Sequence, residues 1–155
     1  MTAFDGLRVG LVWAGGVGGN QPEQIALDQR RSVTFDQMTA LAGIDGVRFF
    51  SLQKGEPAAQ AAHPPTGMTL HDFTKDLTDF ADTAALIDAL DLIISVDTSV
   101  VHLAGALGKP VWLLNRFDTC WRWLLDRDDS PWYPSLRLYR QGVPGDWSPT
   151  IERRT

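Results

Sequence analysis

The chain has 155 residues, which is enough for one hydrophobic core and predicts a single domain over 1–155. Hydrophobic residues make up 44% and charged residues 21%, and no apolar run approaches the length of a membrane span. This composition excludes a disordered chain and a membrane-embedded one. The formal net charge of -5, without a basic stripe, argues against general nucleic-acid binding.

Cysteine and histidine are too few and too scattered for a metal centre. Cys120 is the single cysteine, so neither an internal disulfide nor a multi-thiolate site is expected. His63, His71 and His102 show no metal-ligand spacing, so we predict no metal ion and no cofactor. The first residues lack a basic region followed by an apolar stretch, which predicts a cytoplasmic protein without a signal peptide.

The first third of the chain predicts strands separated by irregular segments. Residues 7–13 predict a buried strand, which a glycine-rich break at 14–20 ends. No helix is expected after this break, and the loop is predicted to reach Ser32. A helix follows over 34–43, with Thr34 as its N-cap.

The remaining elements are predicted from apolar periodicity and from turn residues. We predict strands at 47–53 and 68–73 around a loop at 54–67, a helix at 79–90, a strand, helix and strand over 92–114, a short helix at 121–125 and a strand at 136–139. In the helix at 79–90, Phe80 is placed on the buried face. Everything after residue 139 is expected to be a loop-rich tail anchored by aromatic residues.

Strands that alternate with helices predict a parallel sheet with helices on both faces. The fold class is therefore a three-layer α/β, Rossmann-like domain. Ligands of such sheets bind beyond the carboxyl ends of the strands, where the loops after Trp13, Gln53 and Val96 are expected to converge.

The glycine loop after the first strand does not fit a dinucleotide fingerprint. The segment 16–21 lacks the third glycine that this fingerprint requires, and no helix is predicted to open there. This argues against NAD binding. A flexible surface loop and a ligand-binding loop both remain as interpretations.

The segment from Asp97 to Pro110 is the most informative part of the sequence. A polar corner, Asp97-Thr98-Ser99, begins an Ala- and Leu-rich helix that carries His102 one turn later. Free backbone N–H groups and the positive end of the helix dipole favour a phosphate at such a helix N-terminus. The plainer alternatives are an ordinary helix cap for the corner and a core residue for His102.

This segment resembles the D-[ST]-[GS]-x-x-H-x-A-x-A-x-G-x-P motif of glycosyltransferase family 9, the ADP-heptose:lipopolysaccharide heptosyltransferases. The chain is still more similar to the C-terminal domain of bacterial tetratricopeptide-repeat proteins fused to a heptosyltransferase-like transferase. That further likeness includes the segments 10–15, 31–32, 49–55, 79–86 and 129–134.

The resemblance implies one half of a GT-B fold, in which two Rossmann-like domains face each other across a cleft. This half binds a nucleotide-diphospho-sugar donor. The resemblance places Thr98, Ser99 and His102 on the donor diphosphate, Asp97 near the donor sugar and Arg31 on the diphosphate. Gly15 and Lys54 are expected on the same cleft wall, with Lys54 as a further source of positive charge.

The resemblance also implies that the general base lies in an N-terminal domain outside this chain, so no catalytic residue is assigned here. We expect such a fragment to bind its donor and to transfer no sugar. An exposed inter-domain face further predicts self-association through Trp132, Tyr133 and Trp147. Two alternatives stay open, which are a noncatalytic nucleotide-binding or protein-interaction module and a nucleotide-sugar epimerase fragment.

Overall fold

The computed structural model describes residues 5–16 and 20–152. Six strands form one sheet in the order β3-β2-β1-β4-β5-β6, and each neighbouring pair is parallel. The strands are β1 (Leu7–Val12), β2 (Val47–Ser51), β3 (Leu70–Asp72), β4 (Leu92–Val96), β5 (Val111–Asn115) and β6 (Leu136–Arg140).

Helices cover both faces of this sheet, which confirms the predicted three-layer α/β, Rossmann-like fold. The α-helices are α1 (Pro22–Arg31), α2 (Phe80–Asp88), α3 (Ser99–Ala106) and α4 (Ser148–Glu152), and the 3₁₀ helices are Phe35–Leu41, Glu56–Ala62, Thr74–Asp76 and Trp121–Trp123. Side chains from α2 and α3 pack on one face, and side chains from Phe35–Leu41 and α4 pack on the other. Across the described ranges, no helix combines the length and the apolar character needed to cross a membrane.

The strand order creates a crevice at one place on the sheet edge. Successive strands lead away from β1 in one direction up to β3 and in the other direction from β4 to β6. The connections after β1 and after β4 therefore diverge, and open α/β sheets bind ligands at such a switch point. All five residues of β4 are buried, as expected of a central parallel strand that is covered on both faces.

The prediction that no helix follows the glycine loop is wrong, because α1 occupies Pro22–Arg31. Proline stands in its first turn, Arg30 and Arg31 stand in its last turn, and these are ordinary helix-end preferences. Only Asp28 of this helix is buried. With so little buried surface, α1 lacks the apolar periodicity by which helices are recognised in a sequence.

Two other predicted helices are 3₁₀ rather than α-helical. The predicted helix at 34–43 is the 3₁₀ helix Phe35–Leu41, and the predicted helix at 121–125 is the three-residue Trp121–Trp123. Sequence spacing fixes which residues face the core but distinguishes these two helix types poorly over one or two turns. The predicted loop at 54–67 contains the 3₁₀ helix Glu56–Ala62. None of the residues of this helix is buried.

Two aromatic residues have a burial opposite to the one predicted. Phe80 is 61% exposed because it is the first residue of α2 and lies at the rim of a cavity rather than over the sheet. Trp147 is only 3% exposed, because α4 packs on Phe35–Leu41 and brings Trp147 into that side of the core. Of the three aromatic residues expected on an exposed face, Trp132 is exposed and Tyr133 is half-buried.

Candidate functional site

The loops after β1 and β2 are tied together at the crevice by one buried glutamine. Gln53 accepts hydrogen bonds from the backbone N–H groups of Trp13 and Ala14 at 3.0 and 2.9 Å. Its amide nitrogen donates to the carbonyl oxygens of Ala14 and Lys54, both at 3.0 Å. The convergence of these two loops was expected from the sheet topology, but the hydrogen bonds by which Gln53 joins them, to Trp13 and Ala14 about forty residues away, were not.

Arg31 spans the crevice from the β1 side to the β4 side. Its Nη1 donates to the backbone carbonyl of Asp97 at 2.9 Å, and its Nη2 forms an ion pair with Asp28 one turn earlier in α1. The guanidinium lies directly against Gly15, whose N–H donates to Ser32 Oγ at 3.0 Å. The structure thus brings Gly15, Arg31 and Asp97 into contact with one another.

The N-terminus of α3 is open toward this crevice. Thr98 occupies the N-cap position, yet its side chain makes no hydrogen bond to the first turn, and Thr98 Oγ1 lies 3.3 Å from Ser95 Oγ. Ser99 is exposed, and Asp97 and Thr98 are half-buried. The corner is therefore not explained as an ordinary side-chain cap. The N–H of Val101 donates to the Thr98 carbonyl at 3.1 Å, and among the described residues the N–H groups of Ser99 and Val100 are left for another acceptor.

The neighbouring helix α2 shows what a closed N-terminus looks like in this fold. Asp79 Oδ1 accepts the N–H of Asp82 at 2.9 Å, and the Thr78 hydroxyl and N–H donate to Asp82 Oδ2 at 2.6 and 2.9 Å. These hydrogen bonds, chiefly that of the Thr78 side chain, hold the pKa of Asp82 below its ordinary value of 3.8. The start of α2 is thus occupied by its own carboxylates, which leaves α3 as the better place for an anion.

Lys54 reaches the same edge of the sheet but is held by carbonyl groups. Its Nζ donates to the backbone oxygens of Thr74 at 2.9 Å and Leu77 at 2.6 Å. An ammonium group has three donors, so one is left for a ligand. Lys54 and Ser99 both line a cavity of about 260 Å³ between α2 and α3.

His102 is held by two aromatic residues that sequence analysis did not place in the site. Its Nδ1 is 2.9 Å from the Tyr133 hydroxyl, and its ring stacks on Trp123 with centroids 5.4 Å apart. Within the part of the chain that the structure describes, Nε2 has no hydrogen-bond partner. The contacts orient the imidazole and agree with the plainer reading of a packed histidine, while one ring nitrogen stays available.

Metal ligands are not assembled in this region. Among residues 5–16 and 20–152, no three His, Cys, Asp or Glu side chains lie close enough together to hold a metal ion. The charged groups at the crevice are instead Arg31 and Lys54 on the positive side and Asp28 and Asp97 on the negative side. The arrangement offers backbone N–H groups, hydroxyls and the Lys54 ammonium to an anionic ligand, and it places beside them an arginine whose charge is shared with Asp28.

Comparisons with known proteins agree with the motif. The chain is 28% identical over 155 aligned residues to Protein FlbA of Caulobacter vibrioides, an alignment that covers 96% of this chain and 24% of FlbA. The chain therefore spans about a quarter of the length of this relative. Residues 38–114 match the family Glycosyltransferase family 9 (heptosyltransferase). This segment contains Lys54 and Asp97 to His102, and for it the match supports the resemblance seen in the sequence.

Proposed function

We propose that this domain binds the nucleotide-diphospho-sugar donor of a glycosyltransferase that needs no metal ion, as one half of a GT-B enzyme. The observation that carries the proposal is the open N-terminus of α3 at the switch point, with Arg31 held across the crevice from it. The family match supplies the reaction class, since it includes the whole of α3.

The chemistry of the transfer explains why such a site needs positive charge. When the sugar leaves, negative charge develops on the diphosphate, and donors fixed in advance stabilise that charge. The α3 N-terminus supplies backbone N–H groups and the positive end of its dipole, and Arg31 and Lys54 add side-chain cations. These groups fill the role that a divalent cation has in metal-dependent transferases, although the whole chain is acidic.

The nucleoside is assigned to the cavity between α2 and α3. This cavity shares Ser99 with the diphosphate site and is lined on its apolar side by Leu52, Leu77 and Phe80. A planar base fits apolar and aromatic surface next to a phosphate-binding helix end. The exposure of Phe80 then has a reason, because its ring is available to the ligand.

The transfer step itself is assigned to a longer protein. We assign the general base that deprotonates the acceptor hydroxyl to an N-terminal Rossmann-like domain, and we place tetratricopeptide repeats further upstream. Residues 1–155 then bind the donor without transferring sugar. Robust transfer to an acceptor by residues 1–155 alone contradicts this division, because the chain must then contain its own base.

The first test is a calorimetric titration of the domain with UDP, ADP and GDP, with and without EDTA. We expect at least one nucleotide to bind weakly and equally well in the presence of the chelator. Binding that disappears on chelation contradicts the metal-free site. No binding of any nucleotide favours the alternative of a protein-interaction module that keeps the fold.

The second test assigns the diphosphate to α3. Thr98→Ala removes a hydroxyl at the helix start, and Thr69→Ala is the control because Thr69 is exposed at the opposite edge of the sheet. A lost hydrogen bond to a charged ligand costs about 1.5–3 kcal/mol, or about 10- to 150-fold in affinity. Equal nucleotide affinity of the two variants contradicts the assignment.

His102 needs a variant that separates binding from packing. Tyr133→Phe removes only the hydroxyl that fixes the His102 ring and keeps the aromatic packing. With His102 on the diphosphate, His102→Ala weakens nucleotide binding strongly and Tyr133→Phe weakens it less. A His102→Ala protein with lower stability and unchanged affinity shows that the histidine is a core residue.

A further inference from the structure

A second cavity, of about 570 Å³, lies beside α1. It is lined by α1, by the 3₁₀ helix Phe35–Leu41 and by the loops after β5 and β6, and it is partly open to solvent. Its polar lining consists of Gln29, Arg30, Ser32, Gln37, Asp118 and Gln141. This volume is within the range of about 300–1,000 Å³ that is usual for small-molecule sites.

Gln141 gives this cavity an unsatisfied hydrogen-bond donor. The side chain is only 4% exposed, and its Oε1 accepts the backbone N–H of Phe117 at 3.0 Å. Because that contact requires an oxygen, the amide orientation is fixed and the other atom must be the NH₂ group. This Nε2 is buried and has no partner among the described residues. A buried donor without an acceptor is costly, and Gln141 lines the cavity, so a rotation of its side chain that turns Nε2 toward a ligand or water oxygen there is favoured.

The charge of the lining favours a neutral ligand. The lining itself has one basic and one acidic side chain, Arg30 and Asp118, which form an ion pair at 3.4 Å. Asp118 also pairs at 3.3 Å with Arg116, which lies outside the lining. The other polar groups are three amides and one hydroxyl, which both donate and accept. Phe117 and Trp147 add aromatic surface. Mixed donors and acceptors beside aromatic rings suit a hydroxyl-rich ring and suit a phosphate poorly.

The cavity and the crevice share one wall. Ser32 lines the cavity, while its Oγ accepts the N–H of Gly15 in the crevice. Arg30 and Arg31 are adjacent, with the first facing the cavity and the second bonded to Asp97. A ligand in the cavity is thus a neighbour of the diphosphate site.

We infer that this cavity is a subsite for a neutral saccharide ring, separate from the diphosphate site at α3. Its identification with a sugar of the transfer reaction rests on the proposed function. The saccharide has two sources, the glycosyl group of the donor or the acceptor. Both present the same ring hydroxyls to the amides of the cavity.

The binding test uses ¹H–¹⁵N NMR with glucose, mannose, galactose and N-acetylglucosamine as probes. We expect at least one sugar at high millimolar concentration to shift the Gln141 side-chain NH₂ and the Trp147 indole N–H. Ala26 is exposed on α1 and lines the cavity, so Ala26→Trp places a ring in it. Gln24→Trp is the control, because Gln24 is exposed on the same helix but does not line the cavity. Shifts that vanish in Ala26→Trp and persist in Gln24→Trp support the subsite.

Absence of these shifts with all four sugars overturns the inference, and so do shifts that are equal in the two variants. Nucleotide titration separates this failure from failure of the proposed function. Nucleotide binding without sugar binding removes only the subsite. Sugar binding without nucleotide binding keeps the subsite and removes the donor-binding function.

A further titration distinguishes the two sources of the saccharide. Each nucleotide found to bind is added as its hexose conjugate, followed by the free sugar. If the conjugate shifts the cavity signals and blocks the free sugar, the subsite holds the donor glycosyl group. If the free sugar still shifts those signals, the subsite holds the acceptor.

Discussion

Replacing Gly15 by alanine tests the contact that closes the crevice. A Cβ on Gly15 would lie 2.5 Å from Arg31 Nη2 and 2.6 Å from Arg31 Cζ, which is closer than real Cβ contacts. The backbone of Gly15 has no positive φ, so the substitution introduces no backbone strain. The guanidinium must therefore move away from its place between the two loops.

The cost follows from what Arg31 loses when it moves. The hydrogen bond to the Asp97 carbonyl involves a charged donor, and such bonds contribute about 1.5–3 kcal/mol. The ion pair with Asp28 is also disturbed. The Arg31 side chain is only 25% exposed, so water replaces these contacts incompletely. The entropy gain of a Gly-to-Ala replacement is common to Gly15 and Gly16, so we expect Gly15→Ala to have a free energy of unfolding about 1.5–3 kcal/mol lower than that of Gly16→Ala.

Gly16→Ala is the matched control. A Cβ there meets no atom of the described residues within 4 Å, and Gly16 likewise has no positive φ. Replacing a glycine at such a position reduces the entropy of the unfolded chain, which stabilises a protein by about 0.4–1 kcal/mol. The two variants have the same chemistry one residue apart, so the difference between them isolates the contact with Arg31.

Urea denaturation followed by circular dichroism measures the stability of both variants, and calorimetry measures their nucleotide affinity. Gly15→Ala is expected to be the less stable variant and to bind nucleotide more weakly, because Arg31 is displaced from the diphosphate site. If the two variants have equal stability and equal affinity, Arg31 does not hold the crevice and the reasoning is refuted.

Three further perturbations test the fold around the site. Gly105→Ala places a Cβ 2.5 Å from the Tyr133 ring. We expect this overpacking to lower the free energy of unfolding, measured by urea denaturation, by about 1–3 kcal/mol. Unchanged stability means that the ring moves freely. Val96→Asp puts an unpaired charge on a fully buried position of the central strand, and circular dichroism should show an unfolded protein. The hydrogen bond from the Arg8 side chain holds the pKa of Asp91 below its ordinary 3.8, so this pair stabilises the fold above that pH and loses its contribution as the pH falls through the folded pKa. Stability measured in urea at several acidic pH values should therefore fall more steeply in the parent protein than in Asp91→Asn, and identical slopes would exclude a role for the pair.

Parts of the site were predictable because their signal is local. The Asp97-Thr98-Ser99 corner follows a strongly apolar strand and precedes a helix, so its place at a helix N-terminus depends only on neighbouring residues. Its open state was not predictable, because capping depends on where the Thr98 hydroxyl points. The neighbouring helix carries a similar polar start and is closed by Asp79.

Other parts involve residues far apart in the sequence. Gln53 joins loops about forty residues apart, and His102 depends on Tyr133, 31 residues further along the chain. The sequence indicated that the loops after Trp13 and Gln53 converge, but it did not indicate these hydrogen bonds, nor that Tyr133 contacts His102. The helix α1 was missed for a related reason, since almost none of its surface is buried and periodicity reports burial.

The sequence by itself determined the alternation of strands and helices, the buried parallel sheet and the segment 97–110 that resembles the glycosyltransferase family 9 motif. Each of these depends on hydrophobic pattern and spacing within a few residues. The tertiary structure decided which side chains and backbone groups are in contact where the loops converge. Only the strand order brings β1 beside β4, and with it Arg31 against the carbonyl of Asp97, 66 residues away. The burial of Trp147 was likewise decided by where α4 packs. Such contacts follow from the path of the whole chain, which no local pattern encodes.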